Sequence, residues 1–171
     1  MGLPRKLKNM NLFIDGRSYV GEAEEVTPPK LTRKTEAYRA AGMAGAAHID
    51  LGLEDDALKA EFTLGGHVGE VVKQMGRVGI DGVLLRFAGA FRRDDTGEYT
   101  AVELVMRGRI TEIDRGTYKV GDNSQMKFSM HNVYYKEIEN KQVLMEVDVL
   151  NNVHIVNGVD LLREERRAIG Q

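Results

Sequence analysis

The chain has 171 residues, 42% of them hydrophobic, and its 24 basic and 26 acidic side chains leave a net charge of −2. That length suits one globular domain spanning residues 1–171, and the near-neutral charge argues against a nucleic-acid-binding or membrane-surface protein. The absence of cysteine excludes disulfide bonds, a thiol nucleophile and a thiolate metal site. No apolar run approaches the roughly 18 residues that span a bilayer, so we expect no membrane anchor and folding in the cytoplasm.

The distribution of glycine and proline favours a β-rich chain that assembles. The 19 glycines indicate many turns, whereas the three prolines all lie before Lys30. Monomeric β proteins usually protect their sheet edges with proline, bulges or charge, so the long proline-free remainder favours edges that pair with a neighbouring subunit. Edges protected by lysine and arginine alone are the alternative.

The first part of the chain predicts strands and one unsupported loop. Residues 10–15 and 19–26 form a predicted hairpin around Asp15-Gly16, a dipeptide suited to positive φ. Residues 30–38 alternate as a strand whose two faces are both largely polar, so at least one face is solvated or in a subunit contact. Residues 40–47 are rich in Gly and Ala and have no apolar anchor. We expect a loop there that a partner orders.

The next segment changes its period from strand to helix. Residues 57–64 alternate as a half-buried strand that Gly65-Gly66 ends. Residues 67–78 then predict a helix of about three turns with one apolar stripe that packs on the sheet. The stripe consists of Val68, Val71, Val72 and Met75.

The clearest hairpin joins residues 83–93 to residues 98–107 through the turn formers at 94–97. Pairing of Arg93 with Glu98 sets its register and separates an apolar face from a small, charged face. We expect core positions at Phe87, Phe91, Leu104 and Met106, which share the apolar face.

The last third predicts strands at 126–138 and 143–149, then a short helix over 161–168. Asp160 is the expected N-cap of this helix and Gly170 its end. The predicted fold class is therefore mainly β: an antiparallel β-sandwich or barrel with one packed α-helix, at about 67–78, and a short C-terminal helix.

Motifs for catalysis and cofactor binding are weak. Asp95-Thr96-Gly97 matches the tripeptide of aspartic proteases, but its charged flanks favour a solvated hairpin tip. The histidines lack metal-ligand spacing, no serine lies in a Gly-x-Ser-x-Gly elbow, and no phosphate-binding glycine loop is present. We expect no catalytic residue, no cofactor, no metal and no enzymatic activity. The histidines are His48, His67, His131 and His154.

The charged hairpin allows two interpretations. Its arginines could form a phosphate-binding patch. Acidic residues alternate with them, however, so cross-strand ion pairing is the simpler interpretation. The residues involved are Arg86, Arg92, Arg93, Arg107 and Arg109 with Asp94, Asp95, Glu98 and Glu103.

Several segments together resemble the major tail tube protein of contractile-tailed bacteriophages, the FII-type family shared with R-type bacteriocins. The resemblance extends from Leu3-Pro4-Arg5-Lys6-Leu7 to the end at Arg166-Arg167-Ala168-Ile169-Gly170. Between these ends it rests on residues 31–45, Asp50-Leu51-Gly52-Leu53, the hairpin 86–98, Met106-Arg107-Gly108-Arg109 and Val156-Asn157-Gly158-Val159-Asp160.

The resemblance implies a structural subunit of the inner tail tube. Such subunits form hexameric rings that stack into a hollow tube, with inner strands of neighbours joined into one barrel. It further implies contacts with the tail sheath, tape measure, baseplate and tail-terminator proteins, and double-stranded DNA in transit if the tube belongs to a phage. The location would be a virion tail or a secreted bacteriocin particle, assembled in the bacterial host cytoplasm. The alternative is a soluble β-barrel enzyme or small-ligand carrier, which needs a buried pocket with convergent polar groups.

Two surfaces are predicted for assembly. The small, charged hairpin face should line the channel, because small side chains with charges of both signs suit the passage of a polyanion; a solvated outer face is the alternative, since one bulge would exchange the two faces. The predicted channel-facing residues are Arg86, Ala88, Ala90, Arg92, Ala101, Glu103 and Arg107. The predicted ring-stacking residues, in and after the unanchored loop, are Gly42, Met43, Ala44, Gly45, His48 and Asp50.

Overall fold

A computed structural model describes all residues, 1–171. It contains twelve strands and two short helices. In chain order these are β1 Lys6–Ile14, β2 Arg17–Ser18, β3 Ala23–Thr27, β4 Arg33–Tyr38, β5 Ala47–Leu53, β6 Lys59–Gly65, α1 Gly69–Gln74, β7 Val83–Arg92, β8 Tyr99–Asp114, β9 Gln125–Glu139, β10 Gln142–Asp148, β11 Val153–Val156, β12 Val159–Asp160 and α2 Arg163–Ala168.

Ten strands form one antiparallel sheet, and β4 pairs with β5 in a separate two-stranded sheet. The order of the large sheet is β12-β11-β10-β9-β8-β7-β1-β2, with β6 added to β9 and β3 added to β6. The mainly β, antiparallel prediction is confirmed. The sheet is open rather than a barrel closed within the chain, because along residues 6–11 strand β1 pairs only with β7.

The sheet bends along the β8–β9 pair, whose ladder has two irregularities. Strand β9 pairs with β6 along residues 125–131 and with β10 along residues 134–139, while the β8–β9 register shifts between Arg107 and Gly108. A side chain at Gly108 would meet the backbone of His131 and Asn132, so glycine permits the close approach of the two strands. The bend brings β6 over the strands of the central hairpin.

A core of 19 buried residues lies inside this bend. The rings of Phe62 and Phe128 stack at its centre with a centroid separation of 5.0 Å. Phe87, Leu104 and Met106 are buried as predicted. Phe91 is only partly buried, because it lies near the hairpin tip, where the core ends.

Both helices are shorter than predicted. Helix α1 covers Gly69–Gln74 rather than 67–78, and only Val71 is fully buried. The helix stops early because the N–H groups of Met75, Gly76 and Arg77 donate to the carbonyls three residues back, of Val72, Lys73 and Gln74, instead of continuing the helical pattern. Met75, the last residue of the predicted stripe, is exposed. Helix α2 begins at Arg163 instead of 161.

Asp160 acts differently from a helix cap. It ends β12, its carboxylate accepts the Leu162 N–H at 3.1 Å, and it also pairs with Arg166. Leu162 takes the N-cap position without a side-chain cap. The acid therefore fixes the start of α2 from just outside the helix and ties its last turn to β12.

The sequence did not predict the pairing of strands that are not consecutive along the chain, such as β3 with β6. The Asp15-Gly16 turn is present with positive φ at both residues, but only β2 returns along β1. The turn after Tyr19 directs β3 to β6 instead. The short strands β11 and β12 were not predicted either.

Candidate assembly surfaces

The β7–β8 hairpin places all predicted channel-facing residues on one face of the sheet. Its register is the predicted one, with the Arg93 N–H donating to the Glu98 carbonyl at 3.0 Å. Ala90 lies opposite Ala101, and Ala88 lies opposite Glu103. None of the seven residues is buried, whereas the alternate positions form the core. We call this the hairpin face: Arg86, Ala88, Ala90, Arg92, Ala101, Glu103 and Arg107.

Most charges on the hairpin face are paired. Arg86 Nε lies 2.6 Å from Glu103 Oε1, and its guanidinium stacks 4.8 Å from the centre of the Phe13 ring. Hydrogen bonds to the Tyr99 hydroxyl and to Asp94 raise the pKa of Arg92. Cross-strand and near-neighbour pairing is therefore the arrangement that the structure shows, and it leaves a surface of small side chains between neutralised charges.

The same face continues over β9 and β10, which the sequence did not reveal. Tyr134 lies opposite Arg107, and its hydroxyl donates to Glu146 Oε1 at 2.9 Å. Burial and this carboxylate raise the pKa of Tyr134 to about 12. Lys136 lies opposite both Val105 and Glu146. The alternating pattern within β9 indicates which of its residues share a face. It does not indicate that β9 pairs with the hairpin, because that pairing joins residues far apart in the sequence.

A shallow cavity of about 730 Å³ opens on this face between β1, β7 and β8. Its floor consists of small side chains, including Ala88, Ala90 and Ala101. The Arg86–Glu103 pair and Lys141 border it. It is an open depression in an exposed sheet face and differs from the enclosed pocket that a ligand carrier would need.

Strands β4 and β5 with their connecting turn, residues 33–53, form an arm with little support from the rest of the chain. No residue from 32 to 52 is buried. Met43 is partly covered by its own turn, where its sulfur lies 3.3 Å from the Ala40 nitrogen. Among the polar contacts of the arm, Arg33 and Asp50 form an ion pair at 2.7 Å near its base.

The predicted ring-stacking residues divide between the two ends of this arm. Gly42, Met43, Ala44 and Gly45 lie together at the tip, and His48 follows on β5. Asp50 lies towards the base, opposite Thr35. The Gly52 N–H and Arg33 lower the pKa of Asp50, so this carboxylate stays ionised.

The catalytic motifs of the sequence have structural roles. Asp95 lies in the β7–β8 turn, where it pairs with Arg93 at 2.6 Å and accepts the Leu3 N–H at 3.1 Å. Arg93 is the main reason that the pKa of Asp95 falls to about 2. The Asp95 carboxylate therefore anchors the N-terminal residues to the hairpin tip.

One other constellation has the residue types of a nucleophile, a base and an acid. Thr111 Oγ1 lies 2.9 Å from His131 Nδ1, and His131 Nε2 lies 3.5 Å from Asp56 Oδ1. The side chains of His131 and Asp56 are 46% and 79% exposed, so water has free access and nothing shields a reaction. No group of three His, Asp or Glu side chains has the arrangement of a metal site, and no helix is long and apolar enough to cross a membrane.

An open sheet edge and an unsupported arm are typical of a structural β protein that completes its contacts in an assembly. The chain matches the family described as phage tail tube protein FII over residues 4–170. It is 51% identical over 171 residues to the tail tube protein of Escherichia phage P2, covering 99% of both chains. It is 42% identical over 161 residues to the major tail tube protein of Serratia phage KSP20, covering 94% of this chain and 92% of that one. The chain belongs to the phage tail tube protein FII family.

A chain in the cryo-EM structure of the anti-feeding prophage (AFP) baseplate, six-fold symmetrised, superposes with a TM-score of 0.48 and 8% identity. The match covers 75% of this chain and 90% of that chain. Family membership favours a structural tail subunit over the soluble enzyme or ligand carrier.

Proposed function

We propose that this chain forms hexameric rings that stack into the hollow inner tube of a contractile phage tail or R-type bacteriocin. The observation that carries the proposal is the free edge of β1 along residues 6–11. An exposed edge offers backbone donors and acceptors to another strand. In a ring, the sheet of the next subunit satisfies them, and six open sheets close into one barrel around a channel.

The hairpin face lines this channel. Most of its charges are paired within the subunit, as at Arg86 and Glu103, and alanines lie between them. A lining with many free cations would hold DNA through counterion release, whereas a small and self-neutralised lining lets a polyanion pass. The tube of a phage would conduct DNA, and that of a bacteriocin would conduct ions.

The outer surface and the tube ends meet other tail proteins. The sheath surrounds the tube, the tape measure protein occupies it during assembly, and the baseplate and tail terminator bind its two ends. Assembly takes place in the bacterial host cytoplasm, and the product is a virion tail or a released bacteriocin particle. Membership of the tail tube family supports these partners as a group.

Electron microscopy of the purified chain tests the proposal. We expect hollow tubes or six-fold rings whose amount increases with protein concentration. A preparation that stays monodisperse at the size of one 19.1 kDa chain across that range would contradict the proposal. Binding of a small ligand or hydrolytic activity in the same preparation would support the enzyme or carrier instead.

A further inference from the structure

The arm needs a partner that this chain does not supply. A two-stranded hairpin is marginally stable by itself in water, and here it has no buried side chain between residues 32 and 52. Arg39 lies next to the tip and is exposed, as are Lys34 and Glu36 on β4, and none of the three forms an ion pair within the arm. The outer part of the arm therefore presents small apolar residues beside the unpaired positive charge of Arg39.

A cleft of about 690 Å³ lies at the opposite end of the arm, between its base, the end of β10 and helix α2. It is lined by the carboxylates of Asp148 and Glu165, and also by the Arg33–Asp50 ion pair and His154. Asp148 is hydrogen-bonded only to Asn151, and neither Asp148 nor Glu165 is ion-paired to a cation. The apolar bed of the cleft consists of Leu51, Leu53, Val147, Val149 and Leu162.

The cleft is open to an incoming apolar group. Leu51 and Val149 are each 54% exposed, which is unfavourable for large apolar side chains that have no partner. Val147, another residue of the apolar bed, is buried, so the bed combines a covered residue with exposed apolar side chains. Tip and cleft are thus complementary, since both present apolar residues, and the unpaired charge of Arg39 at the tip is opposite in sign to the charges of Asp148 and Glu165.

We propose that the arm tip of one subunit docks in this cleft of another copy of the same chain. Met43 lies on the apolar bed, and Arg39 pairs with Asp148 and Glu165. The subunit's own arm cannot do this, because strands of six to seven residues place the tip roughly 20 Å from the cleft. Every copy has one tip and one cleft, and such a head-to-tail contact continues from subunit to subunit. This inference rests on the proposed function and names the receptor of the ring-stacking arm.

A cysteine pair tests the contact directly, because the chain has no cysteine of its own. Met43→Cys combined with Val149→Cys should give a ladder of disulfide-linked multimers when tubes are mildly oxidised, and reducing agent should collapse it. Met43→Cys combined with Val78→Cys is the matched control, because Val78 is 92% exposed and lies outside the cleft. Tubes that form without a ladder, or equal ladders in both variants, would overturn the inference.

Charge exchange tests the pairing. Glu165→Lys should raise the protein concentration needed for tube growth roughly tenfold, and Arg39→Glu added to it should restore growth to within about threefold. Glu164→Lys is the control: this neighbour is exposed, pairs with Arg167 and lies outside the cleft, so tube growth should stay unchanged. Equal effects of the two lysine substitutions would contradict the docking.

The two proposals fail in different ways. A wild-type chain that forms no tubes or rings overturns the proposed function and the docking with it. Wild-type tubes whose growth does not respond to Glu165→Lys and whose cysteine pair does not cross-link overturn the docking alone. The melting temperature of the unassembled variants should equal that of the wild type, which separates loss of docking from loss of folding.

Discussion

At the residue scale, Gly108 determines how closely the two longest strands approach. A Cβ atom there would lie 2.3 Å from the His131 carbonyl oxygen and 2.6 Å from Asn132 Cα. Asn132 is itself fixed, because its buried side-chain amide donates to the Leu58 carbonyl at 2.8 Å. Any larger residue must therefore move the backbone at the point where the sheet bends over its core.

We expect Gly108→Ala to lower the free energy of unfolding of the isolated subunit by roughly 1–3 kcal/mol, the usual cost of overpacking. Gly45→Ala is the control, since a Cβ atom there meets nothing within 4 Å, and its effect should stay within about 0.5 kcal/mol. Denaturant unfolding of both variants measures this. Equal stability of the two would contradict the close approach.

Two phenylalanines of β7 test where the core ends. Phe87 is only 6% exposed, so Phe87→Ala should cost roughly 3–5 kcal/mol. Phe91→Ala should cost clearly less, because Phe91 is only partly buried. Thermal unfolding distinguishes the two variants, and an unchanged melting temperature of Phe87→Ala would count against the register of the hairpin.

His154 should make stability depend on pH. Burial and the nearby Arg33 lower its pKa, while Asp50 opposes them. Above the ordinary histidine pKa of about 6.5 the imidazole is neutral in both states, so its effect on stability is constant. As the pH falls below this value the unfolded chain takes up the proton first, and stability decreases until the folded-state pKa is reached.

The measurement compares wild type with His154→Gln between pH 7.5 and pH 5, values chosen to span the ordinary histidine pKa of about 6.5. Other groups titrate equally in both proteins, so their difference isolates His154. We expect the melting temperature of the wild type to fall more steeply than that of the variant below about pH 6.5. Parallel curves would exclude a destabilising protonation of this residue.

At the scale of elements, the sequence predicted what depends on local chemistry. The β7–β8 hairpin has its expected register because the turn 94–97 fixes it. The diversion of β3 to β6 and the division of β9 between two partners depend on distant strands, which no local pattern contains. The hairpin face and the arm tip could therefore be predicted as groups, whereas Tyr134 and the cleft at the arm base could not.

The arm supplies a prediction about assembly. Met43→Asp with Ala44→Asp should prevent ring stacking, because two carboxylates at the tip would lose their hydration on contact with an apolar surface. The fold should persist, since neither side chain belongs to the core. Electron microscopy measures tube length and circular dichroism measures folding. Met43→Leu with Ala44→Ser changes the same positions without charge and should still form tubes; full-length tubes from the aspartate variant would contradict the assignment.

At the scale of the whole molecule, the open sheet connects stability to assembly. The free edge of β1 along residues 6–11 pairs with no other strand in the isolated chain, and of its outward backbone groups the Met10 N–H is bound by the Asn9 side chain at 2.9 Å. Pairing with a neighbour would add strand contacts that exist only in the assembly. Because only the folded chain can assemble, assembly stabilises the folded state, and the apparent stability of the subunit therefore rises with protein concentration. The subunit alone is thus the proper reference for every substitution in the core.

Cysteine labelling of assembled tubes tests which face of the sheet lines the channel. Ala88→Cys and Ala101→Cys place single thiols on the hairpin face, because these residues are unburied and adjacent in the β7–β8 ladder. A small thiol reagent should enter open tubes and label both, whereas a reagent attached to a polymer wider than the channel should label neither. Val78→Cys is the control, because Val78 is 92% exposed and should react with both reagents if it lies outside. If the bulky reagent labels Ala88→Cys as fast as the small one, the hairpin face lies on the outer surface, and the channel lining must be sought elsewhere on the sheet.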